Sequence, residues 1–131
     1  VAIPEIDVGD DIFVVQDEKG ILRRVQVKTS TSTTRQHGFS GRFNIPLRQL
    51  RNLAEVPIHY AFIVRHSGQW TKPLIIRQDY LLNHFEAGHI GSVHGEMLNL
   101  YFSYGGNKAE CSKVDLSGYV ADFSDFPVVE E

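Results

Sequence analysis

The chain has 131 residues, 42% of them hydrophobic and 22% charged, with a formal net charge of −3. That is one domain's worth of an ordinary globular protein with a single core. No apolar run nears the ~18 residues that span a bilayer and no charged-then-apolar start marks a signal peptide. The lone Cys111 excludes a disulfide within one chain, so the expected location is the cytoplasm.

The charge is unevenly spread. Of thirteen Lys and Arg residues, eight lie between Lys19 and Arg51, and no Asp or Glu falls between Glu18 and Glu55. From Val114 to Glu131 there are five acids and no base. A polyanion such as DNA is the partner such an asymmetry suits, with Arg24, Arg35, Arg42, Arg48 and Arg51 as candidate phosphate contacts. The competing reading spreads these arginines over several faces with no common patch.

Taken in order, the first ten residues read as an irregular, acidic lead-in. Ile12 to Gln16 reads as a strand that is apolar on both faces. Asp17 to Gly20 supplies a turn, and Ile21 to Ser30 a second strand, so the two predict an antiparallel hairpin. Ser30 to Gly38 is polar and turn-rich, the pattern of a loop. Arg42 to Ile45 alternates as a short third strand ending at Pro46. Leu47, Leu50, Leu53 and Ala54 then recur at helical spacing, and Pro57 stops the helix. Ile58 to Arg65 is a strongly apolar, central strand, which makes the order β-β-β-α-β. Beyond it lie a strand at 73–77, a helix at 79–87 closed by Gly88, and a strand at 97–104. A weak segment at 113–123 reads as strand or short helix. No linker divides the chain, so the expectation is a single domain with a core over about 7–65 and an elaboration over about 66–131.

The hairpin carries the chemistry. Gln26 and Lys28, two apart on the second strand, share one face. With a turn at 17–20 and Gln16 paired with Ile21, paired positions sum to 37 and Asp11 stands opposite Gln26. A carboxylate, an amide oxygen and an ammonium then converge. The two oxygens suit a hard cation such as Mg²⁺ or Mn²⁺, and the lysine suits the charge of a phosphodiester under attack. A bulged turn instead makes the sum 38 and brings Asp10, not Asp11, to the Lys28 face.

Gly9-x-Asp11, an apolar strand, a turn and Val25-Gln26-Val27-Lys28 together resemble the core motif of the PD-(D/E)XK nuclease superfamily, in the variant with Gln for the second acid. The coverage runs from about Asp7 to Arg65. Within it, Asp-x-Gly-x-Asp and Val-Gln-Val-Lys-Thr are similar to uncharacterised bacterial domains and intron-encoded homing endonucleases of this fold. The resemblance implies an α/β (α+β, mixed-sheet) restriction-endonuclease-like fold, here without the usual first helix, and a metal-dependent endonuclease acting on DNA. Carried over by residue, it implies that Asp11 and Gln26 hold the metal, that the Val27 carbonyl assists, and that Lys28 is the catalytic lysine. It also implies a homodimer or higher homo-oligomer. Two alternatives stand beside it: a catalytically degenerate nucleic-acid- or protein-binding module of the same fold, and a structural domain in which Lys28 pairs with Asp11.

Other residues are weaker candidates. His84, His89 and His94 recur every five residues with Glu86 and Glu96 nearby, but glycines interrupt them and the spacing fits neither helix nor strand, so they read as surface loop histidines. Cys111 reads as packed rather than nucleophilic. Phe39, Trp70 and Tyr104 are available for base stacking, although such rings more often belong to a core or its rim.

Overall fold

A computed structural model describes residues 2–6, 11–16, 22–53, 58–106 and 108–124, with side chains from residue 22 onward. Among the described residues, twelve strands form two six-stranded sheets, accompanied by two helices and a short 3-10 turn at Ser117–Tyr119. The first sheet holds β1 (Ala2–Ile6), β2 (Asp11–Gln16), β3 (Leu22–Thr31), β6 (Ile58–His66), β7 (Gln69–Trp70) and β8 (Leu74–Arg77). The second holds β4 (Thr33–Arg35), β5 (Gly38–Pro46), β9 (Ser92–His94), β10 (Met97–Gly105), β11 (Lys108–Cys111) and β12 (Val114–Asp115). The class is therefore mixed α+β, mostly sheet.

β2 runs antiparallel to both β1 and β3, and β6 lies parallel to β3 with Arg24 beside Ile58 and Thr31 beside Arg65. Parallel neighbours need a crossover. Here it passes through β4, β5 and α1 (Leu47–Arg51). The chain changes sheets at Ser32, whose N–H donates to the Arg65 oxygen at 2.9 Å and whose hydroxyl lies 2.8 Å from His66 Nδ1. One nearly continuous extended segment thus belongs to both sheets.

Three expectations are corrected. The lead-in is a strand, β1, paired with β2 from Ala2–Val15 to Ile6–Asp11. The loop expected over 30–38 contains β4, which pairs with β5 as a hairpin, Arg35 opposite Gly38. The third strand of the sequence reading, within β5, does not join the β2–β3 hairpin sheet but pairs with β10 in the other one. Alternation fixes which face of a strand is buried; it carries no information about which sheet the strand joins. The C-terminal strands consequently complete half of the core instead of lying outside it.

The two sheets bury a common aromatic cluster. Phe62 of β6 meets Phe43 at 4.9 Å and Phe102 at 4.8 Å, with interplanar angles of 63° and 90°. Ile45, Leu98, Leu100, Val64, Leu74 and Ile76 close around it. Gly41 is required by this approach, because a Cβ there would lie 2.5 Å from a Val64 methyl. The opposite face of the first sheet carries buried His59, Ala61 and Ile75 beside half-buried Val25 and Val27.

α1 is short and α2 (Gln78–Glu86) packs beside it. Their junction is built on Gln78, which is fully buried. Its Nε2 donates to the oxygens of Gln49 at 2.7 Å, Leu50 at 3.2 Å and Asn52 at 3.2 Å, while its Oε1 accepts from the Ile58 N–H at 3.4 Å. These are the carbonyls that a helix C-terminus leaves unpaired. At the start of α2, Asp79 makes a two-point ion pair with Arg77, at 2.5 and 2.7 Å. That hydrogen-bonded guanidinium holds the Asp79 carboxyl below its usual range. The helix expected to run to Ala54 ends at Arg51; the predicted stop, Ala54 to Pro57, lies outside the described residues.

Candidate functional site

β3 forms where the sequence predicts it, because Val25 and Val27 favour the pleat and alternate with polar residues. Gln26 and Lys28 do share a face, and it is the inward one. Across the parallel ladder Gln26 pairs with Tyr60 and Lys28 with Phe62, both core residues. Gln26 is 1% exposed and Lys28 5%. Lys28 Nζ donates to the Asn44 main-chain oxygen on β5 at 3.1 Å, which ties the two sheets together. Gln26 Oε1 is buried and has no hydrogen-bond partner among the described residues. A buried amide oxygen left in this state costs on the order of 1–3 kcal/mol.

The register of the hairpin differs from the favoured expectation. Gln16 pairs with Leu22 and Ile12 with Gln26, a sum of 38 rather than 37. The physical reason is spacing: five residues separate the paired Gln16 and Leu22 where the expected pairing of Gln16 with Ile21 left four, and one added residue moves every partner by one. Asp11 therefore does not stand opposite Gln26. This is the register in which the sequence reading assigns the acid to Asp10, and Asp10 lies outside the described residues. Asp11 itself closes the β1–β2 ladder opposite Ile6. On the β2 side the described ladder of β3 ends at Gln26, whereas on the β6 side it continues to Thr31. Val27, the candidate carbonyl ligand, follows directly after that end.

The five candidate arginines do not gather on one surface. Arg24 shares the alternation of Gln26 and Lys28 at the near end of β3. Arg35 and Arg42 are exposed on the outer face of the second sheet, Arg35 Nε donating to Ser40 at 3.0 Å and Arg42 lying 5.7 Å from the Tyr101 ring. Arg48 and Arg51 project from α1, with Arg51 5.8 Å from the Phe85 ring.

His84 lies on α2, its ring 6.3 Å from His89 and its Nε2 3.4 Å from the Tyr119 hydroxyl. Among the described residues no three His, Cys, Asp or Glu side chains come together as a metal cage. Cys111 is buried, and that burial pushes its thiol up, away from the reactive thiolate. No helix among the described residues is long and apolar enough to cross a membrane.

Nothing in the sequence marks Gln78, whose four partners come from 20 to 29 positions away. It did single out Phe39 and Tyr104, which the fold stacks together at 5.1 Å and 11°. No family model matches the chain, and neither a curated protein nor a solved structure does.

Proposed function

We propose that the protein is a metal-dependent endonuclease of the restriction-endonuclease-like type, hydrolysing DNA phosphodiester bonds around Gln26 and Lys28 of β3. The observation that carries this reading is the pair itself: an amide whose oxygen is buried without a partner among the described residues, beside a buried lysine, on one face of one strand. The strand order lends support. Along the first sheet, β1-β2-β3-β6 with α1 in the connection from β3 to β6 retains the order β-β-β-α-β, with β1 taking the place the sequence reading gave to β5.

In this reading the Gln26 oxygen, the Val27 carbonyl and an aspartate of the Asp10–Asp11 pair hold Mg²⁺ or Mn²⁺. Oxygen donors of this kind suit a hard cation. When bound, the metal supplies Lewis-acid activation of phosphate and water. The Lys28 ammonium, fixed by Asn44, contributes a preorganised positive charge toward the developing phosphorane. Homo-oligomerisation is part of the same proposal and rests on the resemblance alone.

Plasmid nicking with Mg²⁺ or Mn²⁺ tests it, comparing the wild type with Lys28→Ala, Asp10→Asn and Asp11→Asn. Lys28→Ala is expected to slow nicking at least ~100-fold, the usual loss for one preorganised charge-stabilising group. Full-rate nicking by that variant sinks the site. A second reading, the degenerate binding module, is favoured by the use made of Lys28, which already bridges the sheets through Asn44. DNA binding with no nicking under any metal supports that reading instead.

A further inference from the structure

Aromatic rings line the inter-sheet space from the core to its far end. Within the core, the rings of Phe43, Phe62 and Phe102 meet at 46–90°, while Tyr60 and Phe62 lie 5.8 Å apart at 19°. At the rim, His66, Phe39 and Tyr104 form a parallel stack, with 4.0 Å and 7° for the first pair and 5.1 Å and 11° for the second. All three are half-buried.

A cleft of about 450 Å³ opens there between Phe39, Thr71, Lys72, Tyr104 and Lys108. A second hollow of about 350 Å³ shares Phe39, Tyr104 and Lys108 and adds Arg35, His37 and Glu110. Each is near the small end of the range for ligand sites, about 300–1,000 Å³. The Tyr104 hydroxyl is buried, with the Thr71 side chain as its neighbour. Burial pushes that phenol up to about 12, so it keeps its proton as a donor at neutral pH. Arg35, Lys72 and Lys108 are exposed. The nearby acids are Glu110 in the second hollow and Asp115, which feels the charge of Lys108. Three basic side chains thus border the hollows where the flat rings surface.

We infer that these two adjoining hollows take successive unpaired nucleotides of a DNA strand, with bases continuing the His66–Phe39–Tyr104 stack and phosphates meeting Lys72, Lys108 and Arg35. Stacking of a base on an aromatic ring combined with a positive groove is the physics of single-strand binding. Two linked hollows on a shared wall suit a strand better than a free nucleotide, which fills one. His66 lies four residues along β6 from Phe62, the ladder partner of Lys28, which is about 13 Å at the rise of a strand. The cleft is thus a few nucleotides from the proposed cutting site. The choice of DNA rests on the nuclease reading; the cleft does not.

The test is fluorescence anisotropy of a labelled oligo-dT strand with the full chain at low salt in EDTA, so that no cleavage occurs. Emission of Trp70, the sole tryptophan and 56% exposed beside Thr71 and Lys72, provides a second readout. Lys72→Glu with Lys108→Glu, both on the surface, is expected to weaken binding at least 10-fold. Tyr104→Leu is expected to weaken it about 5-fold, with its melting curve recorded. Lys113→Glu, exposed and outside both hollows, is expected to bind like the wild type. Unchanged affinity in the charge-reversed variant overturns the cleft, as does equal affinity for duplex or for thymidine monophosphate. Strand binding that depends on the cleft, without nicking that depends on Lys28, overturns the nuclease reading alone. The reverse pattern overturns the cleft alone.

Discussion

Two buried glutamines are treated differently by the fold. Gln78 is saturated: its amide meets three main-chain oxygens and one N–H. Gln26 is equally buried, yet its carbonyl oxygen meets no partner among the described residues. Between them, Gln49 has its main-chain oxygen bonded to Gln78 and its side chain bonded to the hydroxyl of Tyr60, which flanks Gln26 on the ladder. A satisfied buried amide stabilises a junction, whereas an unsatisfied one costs the fold free energy.

The largest expected effect is at Gln78. Gln78→Leu strands several main-chain groups at once and should lower stability by about 2–4 kcal/mol in urea unfolding. A loss below 1 kcal/mol would mean that water replaces the amide and the junction is not built on it. Next comes Tyr60→Phe, which removes the donor to Gln49 and should cost about 1 kcal/mol by the same measurement.

Gln26→Leu breaks the comparison if it is wrong. Removing an unpartnered buried oxygen should leave stability unchanged or raise it by up to about 1 kcal/mol, while abolishing nicking. Destabilisation as large as that of Gln78→Leu would make the two glutamines alike and remove the reason to assign Gln26 a ligand.

The smallest effect concerns Asp79, next to Gln78. Its folded carboxyl titrates below the unfolded one, held there first by the hydrogen bond from Arg77. Its contribution is therefore present above the unfolded value of about 3.9 and is lost as pH falls through the lower, folded value. Since the pair is 31% and 34% exposed, solvent screening limits this to a few tenths of a kcal/mol. Asp79→Asn should flatten that part of the acid limb of a melting-temperature profile below about pH 4 and leave the rest of the curve in place.

Much of the element list is legible in the sequence. Strong alternation or apolar runs mark β2, β3, β5, β6, β8 and β10, and helical spacing marks α1 and α2. The strands that escape are short, polar or at the margins: Thr33-Thr34-Arg35 has no apolar face, and Ser92-Val93-His94 has a single apolar residue. Such segments become strands because β5 and β10 offer them partners, which is tertiary context rather than propensity. The shared face of Gln26 and Lys28 follows from alternation and was readable. Their burial in the inter-sheet space was not, since it depends on β5 crossing into the other sheet. The register turned on one residue of loop length, which composition does not determine.

The passage of the chain through Ser32 also orders events during synthesis. β5 emerges from the ribosome with only β4 beside it; its other neighbour, β10, begins at Met97. Until that strand arrives, Phe43 and Ile45 have half their cover missing and one side of β5 is an open template for foreign strands. Pairing across so long an interval of sequence is slow to nucleate. A chain released before Met97 is therefore expected to be insoluble, and translation of the last third decides whether the first third stays in solution.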